Sequence, residues 1–461
     1  MFSPIQDQDW SIFLDSCHNN ETTANRRYDV IAWNPFLTLT CSGKTSTLMS
    51  ADGTVLYQTS AVLPLELLQT INSHYAACSE TLIGANPLPF KGGAIGHFNY
   101  ELMVDQTLSP LPHQFDDQQI DLAMGFYENF IIVDHWQKKT TLVCLGLTKR
   151  KREDRSLPSI ENWQNLFLAA QNLSPAPAID QGTHFKLLTP FISNMTADEY
   201  KHRFNKIIAY LKAGDCYQVN LAQRFTARFS GNPWHAYCAL RAISPAPFSA
   251  FLNLPHGKIL SHSPESFLRV ANNQVETRPI KGTRARKKQA SEDIKQAELL
   301  TASSKDKAEN LMIVDLMRND ISRNCVVGSV SVPKLFALES FSNVHHLVST
   351  VQGTLAPDHS SIELLRDCFP GGSITGAPKR RAMEIIAELE PDARSAYCGS
   401  IGYIGFNGDM STNIAIRTLQ CQGQAIQVWG GGGIVADSNC DSEYQESIQK
   451  VDNLISALQA L

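Results

Sequence analysis

"FLTLTC" at residues 36–41 and "STLMSADGTVLYQTS" at residues 46–60 read as successive strands, with Asp52-Gly53 marking a tight hairpin turn. "YDVIAW" (28–33) precedes them, and "ENFIIVDHWQKKTTLVCLGL" (128–147) gives a second hairpin. Between them "LPLELLQTINSHYAACS" (63–79) has helical spacing. Because the strands adjoin one another instead of alternating with crossover helices, they predict largely antiparallel sheet in an α+β chain.

The chain has 461 residues, more than one hydrophobic core usually organises. A polar, Pro-rich stretch from "TKRKREDRSLPS" to "NLSPAPAIDQGTH" (148–184) reads as a linker, dividing an N-terminal region, 1–185, from a second region, 190–461. The second region opens on a helix: Thr196 and Glu199 have capping-box spacing, Phe204, Ile207, Ile208 and Leu211 form one apolar stripe, and Gly214 supplies the stop. With 43% apolar and 18% charged residues the composition is that of a globular protein, and a net charge of −5 argues against general polyanion binding. Eleven cysteines lie scattered without a CxxC pair or zinc-like spacing, which predicts reduced thiols. "MFSPIQDQDW" carries aspartates where a signal peptide is basic and then apolar, and no run is long and apolar enough to span a bilayer. The expectation is a cytoplasmic protein.

Two pairs of acids recur at a spacing of three: Asp306 with Glu309, and Glu443 with Glu446. On a helix each pair shares a face and can offer two carboxylates to one point. Were the pairs to converge, oxygen donors without His or Cys would select Mg²⁺. In the second helix Ile448, Val451, Ile455 and Leu458 mark the core side, with Lys450 and the acids on a flank. "VWGGGGIVADS" places Gly430 to Gly433 after a strand-like run, as an anion-approaching backbone or a flexible turn. "FPGGSITGAPKRR" lacks the Lys-Ser/Thr of a phosphate loop, having Ala377-Pro378 there instead. Arg417, in the apolar "NIAIRTL", calls for a carboxylate from the chain or from a ligand. His345 and His346 fall on opposite faces of a strand, so only one can serve a given site. Finally, "RPIKGTRARKK" (278–288) puts Lys281 among five other cations. It reads as a solvated loop, or as the surround of a lysine kept neutral, and hence nucleophilic, by desolvation or by neighbouring cations such as Arg278, Arg284 and Arg286.

Together "GDCYQVNLAQRF", "SPESFLRV", "RPIKGTR", "AENLMIVDLMRND", "VHHLVST", "GGSITGAPK", "IRT" and "GGGIVADS…SEYQES" resemble the chorismate-utilising enzymes, and among them the component I chains of aminodeoxychorismate synthases. The resemblance runs in order from Thr196 to the C-terminus, with "GGAIGHFNYE" (92–101) a weaker echo in the first third. It implies two antiparallel sheets packed face to face with helices outside, the two sequence regions interlocked in one body.

The resemblance further implies a reaction. Family members that add water to chorismate carry a lysine at the position of Gln218, which disfavours isochorismate synthesis here. Anthranilate synthases, which aminate ring carbon 2, typically read PIAGT where this chain reads "PIKGT", so Lys281 points to amination at carbon 4. The family's lysine attacks carbon 2 and expels the carbon 4 hydroxyl; ammonia then displaces the lysine. On this reading the product, 4-amino-4-deoxychorismate, serves p-aminobenzoate and folate synthesis. Glu309 and Glu446 resemble direct Mg²⁺ ligands, and Asp306 and Glu443 ligands through water. Glu265 resembles the general acid/base. His346 and Thr283 line the ring, and Gln218, Tyr397, Arg417, Lys450 and Gly431, Gly432 and Gly433 hold the substrate. Ammonia would come from a separate glutamine amidotransferase subunit. "SPAPFSAF" (244–251) resembles part of a tryptophan pocket of some relatives, with Ser244 where Asn is common. The nearest rival reading is anthranilate synthase component I. A nucleic-acid-binding module, the reading of another class, is opposed by the acidic net charge and by the absence of stacking aromatics beside "KGTRARKK".

Overall fold

The computed structural model describes residues 1–18, 24–83, 88–103, 119–147, 184–287, 289–341 and 344–461. The linker expected at 148–184 lies almost wholly outside these residues.

Two sheets of twelve strands each organise the described residues; Ile192–Ser193 and Gly376–Ala377, both paired with Gln218–Ser230, and Ser331–Ser340, paired with Val344–Thr354, lie off the main paths. The first runs, in spatial order, Lys186–Leu187, Gln218–Ser230, Ala425–Ile434, Thr418–Gln422, Gly257–Ser263, Phe248–Leu254, Ser11–Asp15, Tyr28–Ala32, Asn129–Asp134 and Lys139–Cys144. The second runs Ile280–Ala285, Val344–Thr354, Gln274–Thr277, Ser266–Ala271, Met410–Asn413, Ser400–Gly405, Gly93–Phe98, Ile120–Tyr127, Leu37–Ser42, Thr45–Ser50 and Val55–Thr59. The two predicted hairpins stand at the far ends of the two sheets, with antiparallel pairing. Strands from before residue 148 and after residue 184 share both sheets.

The period-two side-chain pattern builds the layers. Ile12, Val30, Ala32, Phe130, Ile132, Ala250 and Leu252 of the first sheet pack against Ile95, Ala123, Tyr127 and Ile401 of the second. Their sequence neighbours face outward. Phe13, Ile31, Ile131 and Phe251 meet Trp234, Tyr237, Val451 and Leu454 from the helices Pro233–Ile243 and Cys440–Gln459. Leu122, Met124 and Phe126 belong to one apolar cluster that also takes in residues of the helices Pro64–Ile83, Ser304–Ser322 and Ser361–Cys368. The expected face-to-face antiparallel sheets with helices outside are therefore present, as is the capping box of Ala197–Ala213, closed by left-handed Gly214.

The four glycines form no turn. Gly430 to Gly433 continue a strand in register with Gln223, Ala222, Leu221 and Asn220. Their smallness admits the helix Cys440–Gln459: a Cβ on Gly430 would stand 2.0 Å from the Ser447 carbonyl oxygen. Gly430→Ala must push that helix off its strand, so we expect a loss of about 1–3 kcal/mol in chemical denaturation. Wild-type stability would show that the contact relaxes freely.

Candidate functional site

Both acid-bearing helices begin at a side-chain cap. Ser303 accepts from Asp306 N at 3.2 Å, and Asn439 accepts from Ser442 N at 3.1 Å. The acids follow within the first two turns, where the helix dipole favours negative charge. Glu443 is only 5% exposed and accepts from the Ser438 hydroxyl at 2.7 Å, so it faces inward more fully than its flank position suggested. A Cβ on Gly432 would lie 3.1 Å from Glu443 Oε2 and 3.7 Å from Glu446 Oε1; both acids thus lean over the glycine strand.

Lys281 reaches this region from the second sheet. Its Nζ donates to the Ser373 carbonyl at 3.1 Å. Burial pushes its pKa below the ordinary lysine range, Glu309 and Glu265 oppose that shift, and Lys450 adds to it. The guanidiniums of "RPIKGTRARKK" do not take the role expected of them. Arg278 is paired with Glu339, Arg286 with Asp293 at 2.8 Å, and Arg284 is exposed. Desolvation replaces them as the cause, and those ion pairs leave the run a poor footprint for phosphates.

Glu265 lies between the strands Gly257–Ser263 and Ser266–Ala271, where the chain crosses from one sheet to the other. Burial raises its pKa, while the Ser373 hydroxyl, Lys281 and the Ile280 amide restrain the rise. Ser373 thus bonds the amine through its carbonyl, and its hydroxyl lies near enough to the Glu265 carboxyl to favour the ionised form. In sequence, "FPGGSITGAPKRR" fails as a phosphate loop and "GGSITGAPK" counts among the family motifs, but neither assigns a role to Ser373. Arg394 holds the segment in place, donating to the Ile374 carbonyl at 2.9 Å while fully buried and paired with Glu390 at 2.7 Å.

Arg417 also sits at a crossover, between Met410–Asn413 and Thr418–Gln422, and not within a regular strand as its apolar neighbours suggested. Its φ is 50°. Among the described residues its guanidinium makes no ion pair or hydrogen bond, and burial pushes its pKa down. That is a cation awaiting an anion. Gln218 is fully buried with both amide atoms unpartnered, its Nε2 2.5 Å from where a Gly433 Cβ would be. Beyond Leu419↔Val428 the glycine strand loses its neighbour on the Arg417 side, leaving that edge open to a ligand.

The histidines separate as their alternation required. His345 contacts Ser340 and Asp293, whereas His346 Nδ1 shares a 2.9 Å hydrogen bond with the Thr283 hydroxyl. Burial, then Arg417, lowers the His346 pKa to about 4, so its imidazole is neutral at pH 7. Lys450 Nζ bonds Glu446 Oε1 and the Gly431 carbonyl, each at 2.8 Å. Tyr397 is stacked on Trp429 at 6.0 Å and flanked by Arg394.

The donor set suits a hard cation in chemistry. Burial and neighbouring carboxylates raise both Glu309 and Glu443, the signature of acids gathered without enough positive charge. Lys305, 3.9 Å from Glu309, and Lys450 stand among them. In this arrangement no three acid, His or Cys side chains among the described residues are grouped to share one ion. The acids fit Mg²⁺ by type, as hard oxygen donors, and Glu443 and Glu446 share the face above Gly432. A separate cavity of about 610 Å³ lies between the sheets, lined by Asp15, Ser16, Pro247, Phe248 and Tyr403 among others. Ser244 caps a helix and lies outside that lining. Among the described residues no helix is long and apolar enough to cross a membrane.

Comparison with known proteins places this geometry. Residues 12–456 match the chorismate binding enzyme family. The chain is 44% identical to aminodeoxychorismate synthase component 1 of Escherichia coli, over 99% of this chain and 95% of that one. It is 43% identical to anthranilate synthase component 1 of Aquifex aeolicus, over 80% and 75%. The structure of anthranilate synthase component I from Streptococcus pneumoniae superposes with a TM-score of 0.78 at 30% identity, covering 95% of this chain and 94% of that one.

Ser373→Ala removes the hydroxyl that restrains Glu265. Carboxyl titration by ¹³C NMR is expected to show Glu265 moving further up; an unchanged titration would mean that the hydroxyl does not reach it.

Proposed function

Because the chain belongs to the chorismate-binding enzymes, we propose that it aminates chorismate at ring carbon 4, giving 4-amino-4-deoxychorismate for p-aminobenzoate and folate synthesis. Ammonia is supplied by a separate glutamine amidotransferase subunit. Similarity favours the aminodeoxychorismate branch, with 44% identity over 99% of this chain against 43% over 80% for the anthranilate synthase of Aquifex aeolicus. The observation that carries the choice is Lys281, half-buried, bonded to the Ser373 carbonyl and depressed in pKa, where anthranilate synthases resemble this chain but typically have alanine.

The chemistry divides one substitution into two allylic ones. Lys281 Nζ bonds to carbon 2, the two conjugated ring double bonds each shift by one position, and the carbon 4–oxygen bond breaks. Glu265, whose burial favours its protonated form, gives the proton with which the hydroxyl leaves as water. Ammonia then bonds to carbon 4, both double bonds return, and Lys281 leaves as a neutral amine. The surplus proton on the new ammonium restores Glu265.

Arg417 and the open edge of the glycine strand hold the substrate's carboxylates, Gln218 and neutral His346 with Thr283 line the ring, Tyr397 backs the pocket through Trp429, and Lys450 completes the anion site. Glu309 and Glu446 would hold Mg²⁺ directly, with Asp306 and Glu443 through water; bound there, the ion neutralises a substrate carboxylate and increases the ring's electron demand. The cavity between the sheets is the place we assign to tryptophan, its wall including Pro247 and Phe248 of "SPAPFSAF".

Incubated with chorismate, Mg²⁺ and ammonium salt, the purified chain is expected to form aminodeoxychorismate, and chelator to suppress it. Anthranilate with pyruvate would transfer the chain to the other branch. Without ammonia, intact-mass spectrometry should find chorismate less water attached to the wild type and absent from Lys281→Ala; an adduct surviving in that variant would remove Lys281 from the mechanism. The rate should rise with pH as Lys281 deprotonates and fall as Glu265 ionises. Glu265→Gln should lower kcat roughly 10²–10⁴-fold and abolish the alkaline limb; retention of that limb would assign it elsewhere.

A further inference from the structure

Glu265 and Arg417, the groups given opposite ends of the chemistry above, stand on the two places where neighbouring strands pass from one sheet to the other. The crossovers run antiparallel and are tied by hydroxyls. Ladder pairing ends at Ser261↔Thr418, and there the two side chains share a 2.9 Å hydrogen bond. Thr418 Oγ1 also lies 3.1 Å from the Ile416 carbonyl, inside the turn that presents Arg417. His262 N donates to the Arg417 carbonyl at 3.0 Å. Ser263 Oγ donates to the Ile414 carbonyl at 2.6 Å and accepts from Glu265 N at 3.2 Å, and Ile414 N donates back to the Glu265 carbonyl at 3.1 Å. Ser261, His262 and Ser263 are fully buried, and Thr418 is 1% exposed.

Nothing about carrying two strands between sheets requires this density of bonds. What requires it is Arg417, an L residue at φ 50°. That conformation persists only where the surroundings over-determine it. Relaxation to negative φ would swing the guanidinium off the open edge of the glycine strand.

We infer that Ser261, Ser263 and Thr418 are positioning residues: their hydroxyls lock the two crossovers together, holding Arg417 left-handed and fixing its offset from Glu265. The inference rests on the reading of Arg417 as a substrate-carboxylate group. Ser263 ties both crossovers to one oxygen and so serves both ends of the substrate. Ser261 and Thr418 act on the Arg417 side alone.

The test is kinetics on Thr418→Val, Thr418→Ser and Ser263→Ala beside the wild type, with melting temperatures and a crystal structure of Thr418→Val. Loss of the Thr418 hydroxyl's bonds to Ser261 and the Ile416 carbonyl predicts a KM for chorismate at least about threefold higher in Thr418→Val, with kcat held and recovery in Thr418→Ser. Ser263→Ala should raise KM and lower kcat together. Arg417 should abandon positive φ in the Thr418→Val crystal. An unchanged KM, a kcat loss that tracks the melting temperature without rescue by serine, or an Arg417 that stays left-handed would overturn the inference. If the wild type does not turn over chorismate, the functional reading fails, while the Arg417 conformation still decides the clamp.

Discussion

The withdrawal of one amine from water shapes this molecule's working end. Lys281 donates to the Ser373 carbonyl in a place where burial alone drives it toward its neutral form, against the pull of Glu309 and Glu265. Holding an amine there requires a rigid wall on every side. The second sheet carries Lys281, and the buried Arg394–Glu390 pair fixes the segment bearing Ser373. The glycine strand lets the acid-bearing helix close from the first sheet.

The same burial sorts the other groups. It favours the protonated form of Glu265 and the neutral form of His346 and lowers the pKa of Arg417, so on the proposed function one physical cause would prepare an acid, a neutral ring partner and an anion receptor together. Charges that stay wet, such as those of Arg278 and Arg286, are spent on ion pairs with Glu339 and Asp293 and leave the site alone.

What the sequence displayed was pattern. Alternating strands, Asp52-Gly53 and the capping box at Thr196 gave the antiparallel architecture and its helices. The motifs from Gln218 to Lys450 named the candidate residues, of which Glu265, Glu309, Glu446 and Lys450 stand close enough to Lys281 to act on its charge. Pattern failed where long-range contact decides. Gly430 to Gly433 read as turn or strand until the helix above them was placed, and Arg417 looked like a strand residue because its neighbours are apolar. Ser373 carried no local signal, since its part comes from residues about ninety and one hundred positions earlier in the chain. The cations beside Lys281 misled for the same reason: nearness in sequence is not nearness in a pleated strand.

The most direct test is the pKa of Lys281 itself, read from the pH dependence of its labelling rate by an amine-reactive reagent in the intact protein, with peptide mass mapping to isolate the site. The account predicts half-maximal reactivity below the ordinary lysine value of about 10.4, and a return toward that value if the site is opened by denaturant. An ordinary value in the folded protein would contradict it, because a lysine protonated at working pH offers no nucleophile, whatever surrounds it.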